Sequence, residues 1–267
     1  MVRRTVMPIV SILGRKKTGK TTFAEKAIRS LAESGYRVGY LKHTDHEMDT
    51  DVKGKDTWRG STAGAVVVVG STPSQTFVVN KRGIGTIEEL IALFEPKVDL
   101  VITEGFNQLF KDREDVPKIV IVGDPEGLEW AKTFKGVMAL VGPAAKSTGG
   151  VPVMSEREAI VKAKEYVENT LEVKRDYEKL PWFDCGYCGF KDCLGFARAL
   201  ARKEVEIEGC RMKEEGISLK VGGREVRMKD FVQSIIRKAV LGMASSLKDV
   251  EIKGDESVEV SIKRKKE

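Results

Sequence analysis

Amide side chains and imidazoles are scarce in this chain: its 267 residues include three asparagines, three glutamines and two histidines, His43 and His46. Two histidines three apart lack the further ligands that a zinc site wants, so a hydrogen-bonding or substrate role is expected of them before a metal role. The shortage of amides beside 46 basic and 40 acidic residues suits a heat-adapted source. Long apolar runs are also missing. Ala65 to Val69 is among the longest, far short of a membrane span. Arg3 and Arg4 are not followed by the apolar core of a signal peptide, so a cytoplasmic protein is expected. Cysteine is absent before position 185, which excludes a disulfide framework for most of the chain. Net charge is only +6, and its densest piece, Lys263 to Lys266, has no interleaved aromatics. A nucleic-acid partner is not expected.

Against those absences one run stands out: Gly14-Arg15-Lys16-Lys17-Thr18-Gly19-Lys20-Thr21-Thr22. It follows a strand-like apolar segment and leads into a helix-like one, the context of a phosphate-binding P-loop. Gly14 and Gly19 let the loop curl so that its N–H groups face phosphate oxygens. Lys20 is expected on the β- and γ-phosphates and the Thr21 hydroxyl on Mg²⁺. The helix start adds its dipole. The nucleotide-binding set is therefore Gly14, Arg15, Lys16, Lys17, Thr18, Gly19, Lys20, Thr21 and Thr22.

With 41% apolar and 32% charged residues the chain reads as globular. Its first part alternates strand and helix signals, which predicts an α/β, P-loop NTPase fold with a mostly parallel, doubly wound sheet. Expected strands are Ile9 to Leu13, Val38 to Lys42, Ala65 to Val69, Thr76 to Val79, Leu100 to Thr103, Ile119 to Val122, Val137 to Val141 and Val151 to Met154. Several are continuous apolar runs, as strands covered on both faces are. Expected helices are Thr21 to Ser34, stopped by Gly35, Ile87 to Phe94, capped by Thr86, and Glu156 to Asn169. Charge thickens at Glu172 to Lys179 and Pro181-Trp182 marks a break. We expect a nucleotide domain over 1–175, a cysteine module over 176–216 and a small α+β segment over 217–267. In that last segment Ser218 to Arg227 reads as a hairpin around Gly222-Gly223, Lys229 to Leu247 as a helix, and Val258 to Ile262 as a strand.

A P-loop needs a second acid for Mg²⁺ or water. Glu104, ending the strand-like Asp99 to Glu104 before Gly105, is placed for it, since ligands bind at the carboxyl ends of such strands. After the second strand come Lys42, His43, His46, Asp49, Asp51, Lys55 and Asp56. Of these, Asp51 or Asp56 could touch Mg²⁺, and Lys42 or Lys55 an anionic ligand. No Asn-Lys-x-Asp guanine motif is present. Val141-Gly-Pro-Ala-Ala-Lys146 is placed to face a base without separating guanine from adenine.

The order of these motifs resembles the MobB family. The match is carried by Gly14 to Thr22, Leu41-Lys-His43, His46, Asp51-x-x-Gly54-Lys55-Asp56, Arg59, Ala63-Gly64-Ala65 and Thr103-Glu104-Gly105-Phe106. The resemblance covers about residues 7 to 170. It implies GTP binding with Mg²⁺, weak GTP hydrolysis, a homodimer, and a part in assembling the molybdenum or tungsten pterin cofactor alongside its biosynthetic or acceptor enzymes. Lys20, Glu104 and Arg15 are the expected catalytic groups, and Thr21, Asp51 and Glu104 the expected Mg²⁺ set. Arg15 is placed like a lysine that, in dimeric relatives of this fold, reaches the partner's nucleotide. A role like an arginine finger across a dimer, for Arg15 or Lys16, follows as an expectation.

The cysteines run Cys185-x2-Cys188-x4-Cys193-x16-Cys210. Four thiolates suit a 4Fe-4S cluster or zinc. Gly186 and Gly189 let the loop turn tightly, and Leu194 to Glu208 reads as a helix that Gly209 ends. The pattern resembles the four-cysteine 4Fe-4S module of corrinoid iron-sulfur proteins, which implies a 4Fe-4S cluster, with zinc the alternative. Three readings follow. One is a GTPase of pterin cofactor maturation with a redox-sensing or electron-delivering cluster. The others are an electron carrier gated by nucleotide and a nucleotide-gated metallochaperone using His43 and His46.

Overall fold

The computed structural model describes residues 6–44, 51–83, 85–180, 182, 184, 186, 188–210, 219–221, 224–226, 228, 230–248 and 259–260. In chain order the elements are β1 (Ile9–Gly14), α1 (Lys20–Glu33), β2 (Val38–Lys42), α2 (Asp56–Thr62), β3 (Val67–Ser71), β4 (Thr76–Asn80) and α3 (Ile87–Ala92). There follow β5 (Leu100–Glu104), α4 (Asn107–Phe110), β6 (Lys118–Ile121), α5 (Pro125–Ala131), β7 (Val137–Val141) and α6 (Glu156–Glu178). Next come α7 (Cys193–Ala201), a 3₁₀ turn at Ile207–Gly209, β8 (Leu219–Val221), β9 (Arg224–Val226) and α8 (Asp230–Ser245). Two compact units emerge: Met7–Leu171, and Met1–Val6 with Glu172–Glu267.

The first unit is a five-stranded sheet in the order β2-β5-β1-β6-β7, and every pairing in it is parallel. Parallel strands need crossovers, so helices cover both faces. Phe23, Ala24, Ala27 and Leu31 recur on one side of α1. They pack with Ala159, Ala163 and Val167 of α6 on Val10, Ile12, Leu100 and Ile102. The other face carries two cores. One joins Val101 to Ile87, Ile91, Phe106 and Phe110; the other joins Leu13, Val120 and Leu140 to Ala131 and Phe134. The doubly wound α/β architecture is as the alternating sequence signals predict.

The apolar run from Ala65 departs from expectation. It is not a sheet strand covered on both faces: β3 pairs antiparallel with β4 in a separate two-stranded sheet, and Val67, Val69 and Val78 are exposed. The reason is connection length. The few residues between the strands, closed by Thr72 N–H to the Gln75 carbonyl at 2.8 Å, can join antiparallel neighbours but not parallel ones. Val151 to Met154 likewise forms no full strand, only isolated bridges from Val151 to Thr148 and Val153 to Leu140. Short helices at α2, α4 and α5 went unread because none spans two turns. The Thr86 cap is present as a full capping box with Glu89, and Gly35, at φ +90°, closes α1.

In the second unit the charge-dense stretch after Glu172 is helix, the continuation of α6 to Glu178, because Glu, Lys and Arg are good helix formers on an exposed face. Val6, Val173, Tyr177, Leu180, Trp182 and Phe196 form its core with Cys188, Cys193 and Cys210. The helix expected to Glu208 stops at Ala201. Lys203 adopts φ +57°, a left-handed residue that ends a helix, and the chain re-forms only the short turn before Cys210. β8 and β9 make the expected hairpin. Gly222-Gly223 and most of Val258 to Ile262 lie outside the described residues.

Candidate nucleotide and cluster sites

Because all five strands run parallel, Gly14, Lys42, Glu104, Ile121 and Val141 end at one edge of the sheet, where ligands bind in open α/β folds. Period-two alternation decides where Glu104 lies. Leu100 and Ile102 join the core under α1, and Glu104 continues that row, in register with Ile12 on β1 and Lys42 on β2. Its carboxyl therefore reaches the amino end of α1.

That helix end is built for an anion. Gly19 stands at its N-cap at φ +87° with no side-chain cap, and the first turn holds no acid, so unsatisfied N–H groups and the dipole's positive end are left for a ligand. Lys17 at φ +62° precedes it, and such left-handed residues curl successive amides into an anion-binding concavity. Gly14 has no room for a side chain: a Cβ would lie 2.6 Å from Thr18 Oγ1 and 3.1 Å from the Ile121 carbonyl oxygen. Thr18 Oγ1 donates to the Arg15 carbonyl at 3.0 Å, and Lys20 Nζ does so at 3.2 Å, which holds the lysine folded over the loop.

The Thr21 hydroxyl donates to Glu104, 2.9 Å from each carboxylate oxygen. Tyr40 OH donates to Oε2 at 2.7 Å, and Lys42 Nζ lies 3.3 Å from Oε1. Glu104 is only 2% exposed. Burial pushes its titration up, but the bonds from Tyr40, Thr21 and Lys42 outweigh burial and hold it below the usual carboxylate range. Burial first, and then the Glu104 carboxylate, raise the Tyr40 phenol. A threonine that spends its one proton on Glu104 keeps its oxygen lone pairs for a cation. The pair thus fits a Mg²⁺ site.

Other expected residues make different contacts. Asp51 Oδ1 accepts from Val52 N at 2.8 Å and Thr57 Oγ1 at 3.0 Å. Its Oδ2 is buried and accepts no hydrogen bond, an orphaned acceptor of the kind a cation satisfies. No described hydrogen bond or ion pair joins it to Thr21 or Glu104. Asp56 opens α2 behind Lys55. His43 N donates to the Glu104 carbonyl at 2.9 Å, and its ring packs 4.9 Å from that of Phe106. A Cβ on Gly105 would lie 2.5 Å from the His43 carbonyl oxygen, which is why glycine follows Glu104. Thr22 is exposed in the first turn of α1. His46 and Asp49 lie outside the described residues. Arg15 NH1 binds Glu126 Oε2 at 2.6 Å and Asp124 Oδ1 at 3.2 Å. Sequence reasoning missed Tyr40, Asp124 and Glu126. The one signal for Tyr40 was its place two residues before Lys42, on the same strand face.

In the second unit Cys193 and Cys210 are buried, Cys188 is half-buried, and none of the three is in a disulfide. They share one core with Phe196 and Trp182; Cys185 lies outside the described residues. Asp184 N donates to Cys193 Sγ at 3.4 Å, and Asp184 Oδ1 accepts from Cys193 N at 2.8 Å. Asp192 caps α7 through Gly195 N at 2.7 Å. Among the described residues no three His, Cys, Asp or Glu side chains are gathered as a metal-holding group. The donor set of thiols alone, with a backbone N–H on one sulfur, has the chemistry of a cluster or zinc centre.

The family model of molybdopterin guanine dinucleotide synthesis protein B matches residues 9–142, and a model for a provisionally assigned Fe-S cluster matches residues 180–212. A provisionally assigned molybdopterin-guanine dinucleotide biosynthesis adapter protein of Methanocaldococcus jannaschii is 27% identical over 97% of this chain and 100% of its own length. The molybdopterin-guanine dinucleotide biosynthesis adapter protein of Escherichia coli is 32% identical over 48% of this chain and 72% of that protein. The crystal structure of Bacillus subtilis MobB superposes with TM-score 0.50 at 28% identity, covering 60% of this chain and 98% of that one. Among the described residues no helix is long and apolar enough to cross a membrane.

Proposed function

The chain belongs to the family of molybdopterin guanine dinucleotide synthesis protein B, and from that premise we propose that it is a Mg²⁺-dependent GTP-binding protein and slow GTPase. It acts as an adapter for the enzymes that assemble or accept the guanine dinucleotide form of the molybdenum or tungsten pterin cofactor. The observation that carries this reading is the Thr21 hydroxyl bonded to Glu104 at an uncapped, acid-free helix start.

The loop amides from Arg15 to Thr21 and the Lys20 ammonium neutralise charge on the transferring phosphoryl group. For this Lys20 must leave the Arg15 carbonyl, a swing of one flexible side chain. Thr21 and Glu104, with Asp51 in support, would hold Mg²⁺, which when bound neutralises phosphate charge. Glu104, ionised at neutral pH, orients water through its lone pairs. Arg15 is tied to Asp124 and Glu126 in its own chain, so to act on a partner's nucleotide in a homodimer its guanidinium must leave these exposed carboxylates. The exposed valines of the β3–β4 hairpin suit such a pairing. Mixed dimers of Arg15→Ala with Lys20→Ala chains test this: trans action restores hydrolysis at one site, and its absence in mixed dimers rules trans action out.

In the second unit Cys185, Cys188, Cys193 and Cys210 would hold a 4Fe-4S cluster, which supplies one-electron redox chemistry for sensing or delivery. Cys193 and Cys210 bring burial, and the Asp184 N–H brings a hydrogen bond to sulfur.

Calorimetric titration of GTP and ATP with Mg²⁺ tests the nucleotide reading. GTP is expected to bind more tightly than ATP, and Lys20→Ala to weaken GTP binding by at least tenfold. Undiminished affinity of Lys20→Ala for both nucleotides would sink it.

A further inference from the structure

The structure assigns a role to Tyr40 that no motif anticipates: we propose that its phenol is a positioning residue that fixes the rotation of the Glu104 carboxylate that Mg²⁺-dependent nucleotide binding needs. The role rests on the Thr21–Glu104 reading of the nucleotide site and names the group that sustains it.

Three donors converge on Glu104, and they are unequal. The Thr21 proton is equidistant from both oxygens, 2.9 Å from each, so it is shared and selects neither. Lys42 reaches Oε1 only at 3.3 Å, on a long side chain with four rotatable bonds. The Tyr40 bond to Oε2, at 2.7 Å, is the shortest and comes from a stiff ring on a strand hydrogen-bonded along its length to β5. It therefore sets the rotation of the carboxylate, leaving Oε1 for the cation side where Lys42 sits.

Register explains how Tyr40 reaches Glu104. Lys42 stands opposite Glu104 and Tyr40 opposite Ile102, on the face shared with α1. A leucine or valine at position 40 would extend the apolar row without offering a proton. A phenol spans the diagonal to the next pleat. Among the described residues, the charged or titratable side chains bonded to the carboxylate are Tyr40 and Lys42 from β2. Lys20 is turned to the Arg15 carbonyl.

When the Thr21 oxygen engages a cation and Lys42 is displaced by it, Tyr40 is the donor that stays. Without it no fixed donor holds Oε2, and the carboxylate turns away from the orientation that presents Oε1 to a cation.

The test compares wild type with Tyr40→Phe, which keeps the ring and its packing. The factor by which Mg²⁺ tightens GTP binding over EDTA is expected to fall about tenfold, while GTP affinity in EDTA stays unchanged. An undiminished Mg²⁺ factor in Tyr40→Phe, beside a clear Mg²⁺ factor in wild type, overturns this proposal alone. Wild type without any tightening by Mg²⁺ would refute the reading of the site, and the proposal with it.

Discussion

Replacing Glu104 by glutamine changes one oxygen into an NH₂ group and little else, and the geometry fixes what must follow. Every described neighbour of the carboxyl is a donor: Tyr40 at 2.7 Å, Thr21 at 2.9 Å and Lys42 at 3.3 Å. An amide can place its oxygen towards Tyr40 or towards Lys42, but not both, so its NH₂ group is left facing a donor. Such a mismatch costs about 1–3 kcal/mol. A destabilisation of that size lowers the melting midpoint by roughly 2–4 °C per kcal/mol in a protein of this size. The second consequence is functional. Removing a carboxylate that supports a metal site weakens the metal by about 10–100-fold, while removing a negative charge from beside the phosphates does not weaken nucleotide held without metal. Fluorescence titration with a labelled GTP, in Mg²⁺ and in EDTA, separates the two. Glu104→Gln is expected to match or exceed wild type in EDTA and to lose most of the tightening by Mg²⁺. Equal Mg²⁺ enhancement in both proteins would refute the assignment of Glu104 to the cation, whatever the melting temperature does.

Lys118 tests the ionisation of the core. Its ammonium is fully buried and donates to the Arg113 carbonyl at 2.5 Å and the Val116 carbonyl at 2.7 Å. Burial, the largest influence, lowers its titration from 10.5 to about 8. A lysine depressed in the folded state binds fewer protons there than in the unfolded chain between those values. Stability therefore rises with pH across that window, by up to about 3 kcal/mol. Urea unfolding over pH should show that rise in wild type relative to Lys118→Met, and a pH-independent difference between the two would contradict it. For the thiols, anaerobic reconstitution with iron and sulfide should give a broad visible absorption that Cys188→Ser abolishes. Stoichiometric zinc without that band would assign zinc instead.

Legibility followed the range of the interactions. The P-loop was readable because its function resides in contiguous backbone: glycines at positions 14 and 19, the latter at φ +87°, and the helix start beside them. Strands β2 and β7 were read to the residue because each apolar run is bounded by breaks. Glu104 was found from its place at a strand end. Tyr40 was passed over, since a tyrosine in a strand reads as ordinary β-propensity until a partner is known. The Ala65 to Val69 run misled because apolar content alone does not say which face is covered. The four-residue spacing to the next strand carried the antiparallel pairing and should have outweighed composition.

By itself, then, the sequence determined the longer helices, the strands of the parallel sheet, the phosphate loop and the four thiols, because local backbone preference and period-two or period-3.6 patterning act within a few residues. Only the tertiary structure decided which groups meet: Thr21 with Glu104 across 83 residues and Tyr40 with Glu104 across 64, and Arg15 with Asp124 and Glu126 across more than a hundred. Such pairings are fixed by strand order and register. In this sheet, register sets Lys42 opposite Glu104 and carries the carboxylate row to the start of α1, a result of packing two faces at once that no single stretch of residues encodes.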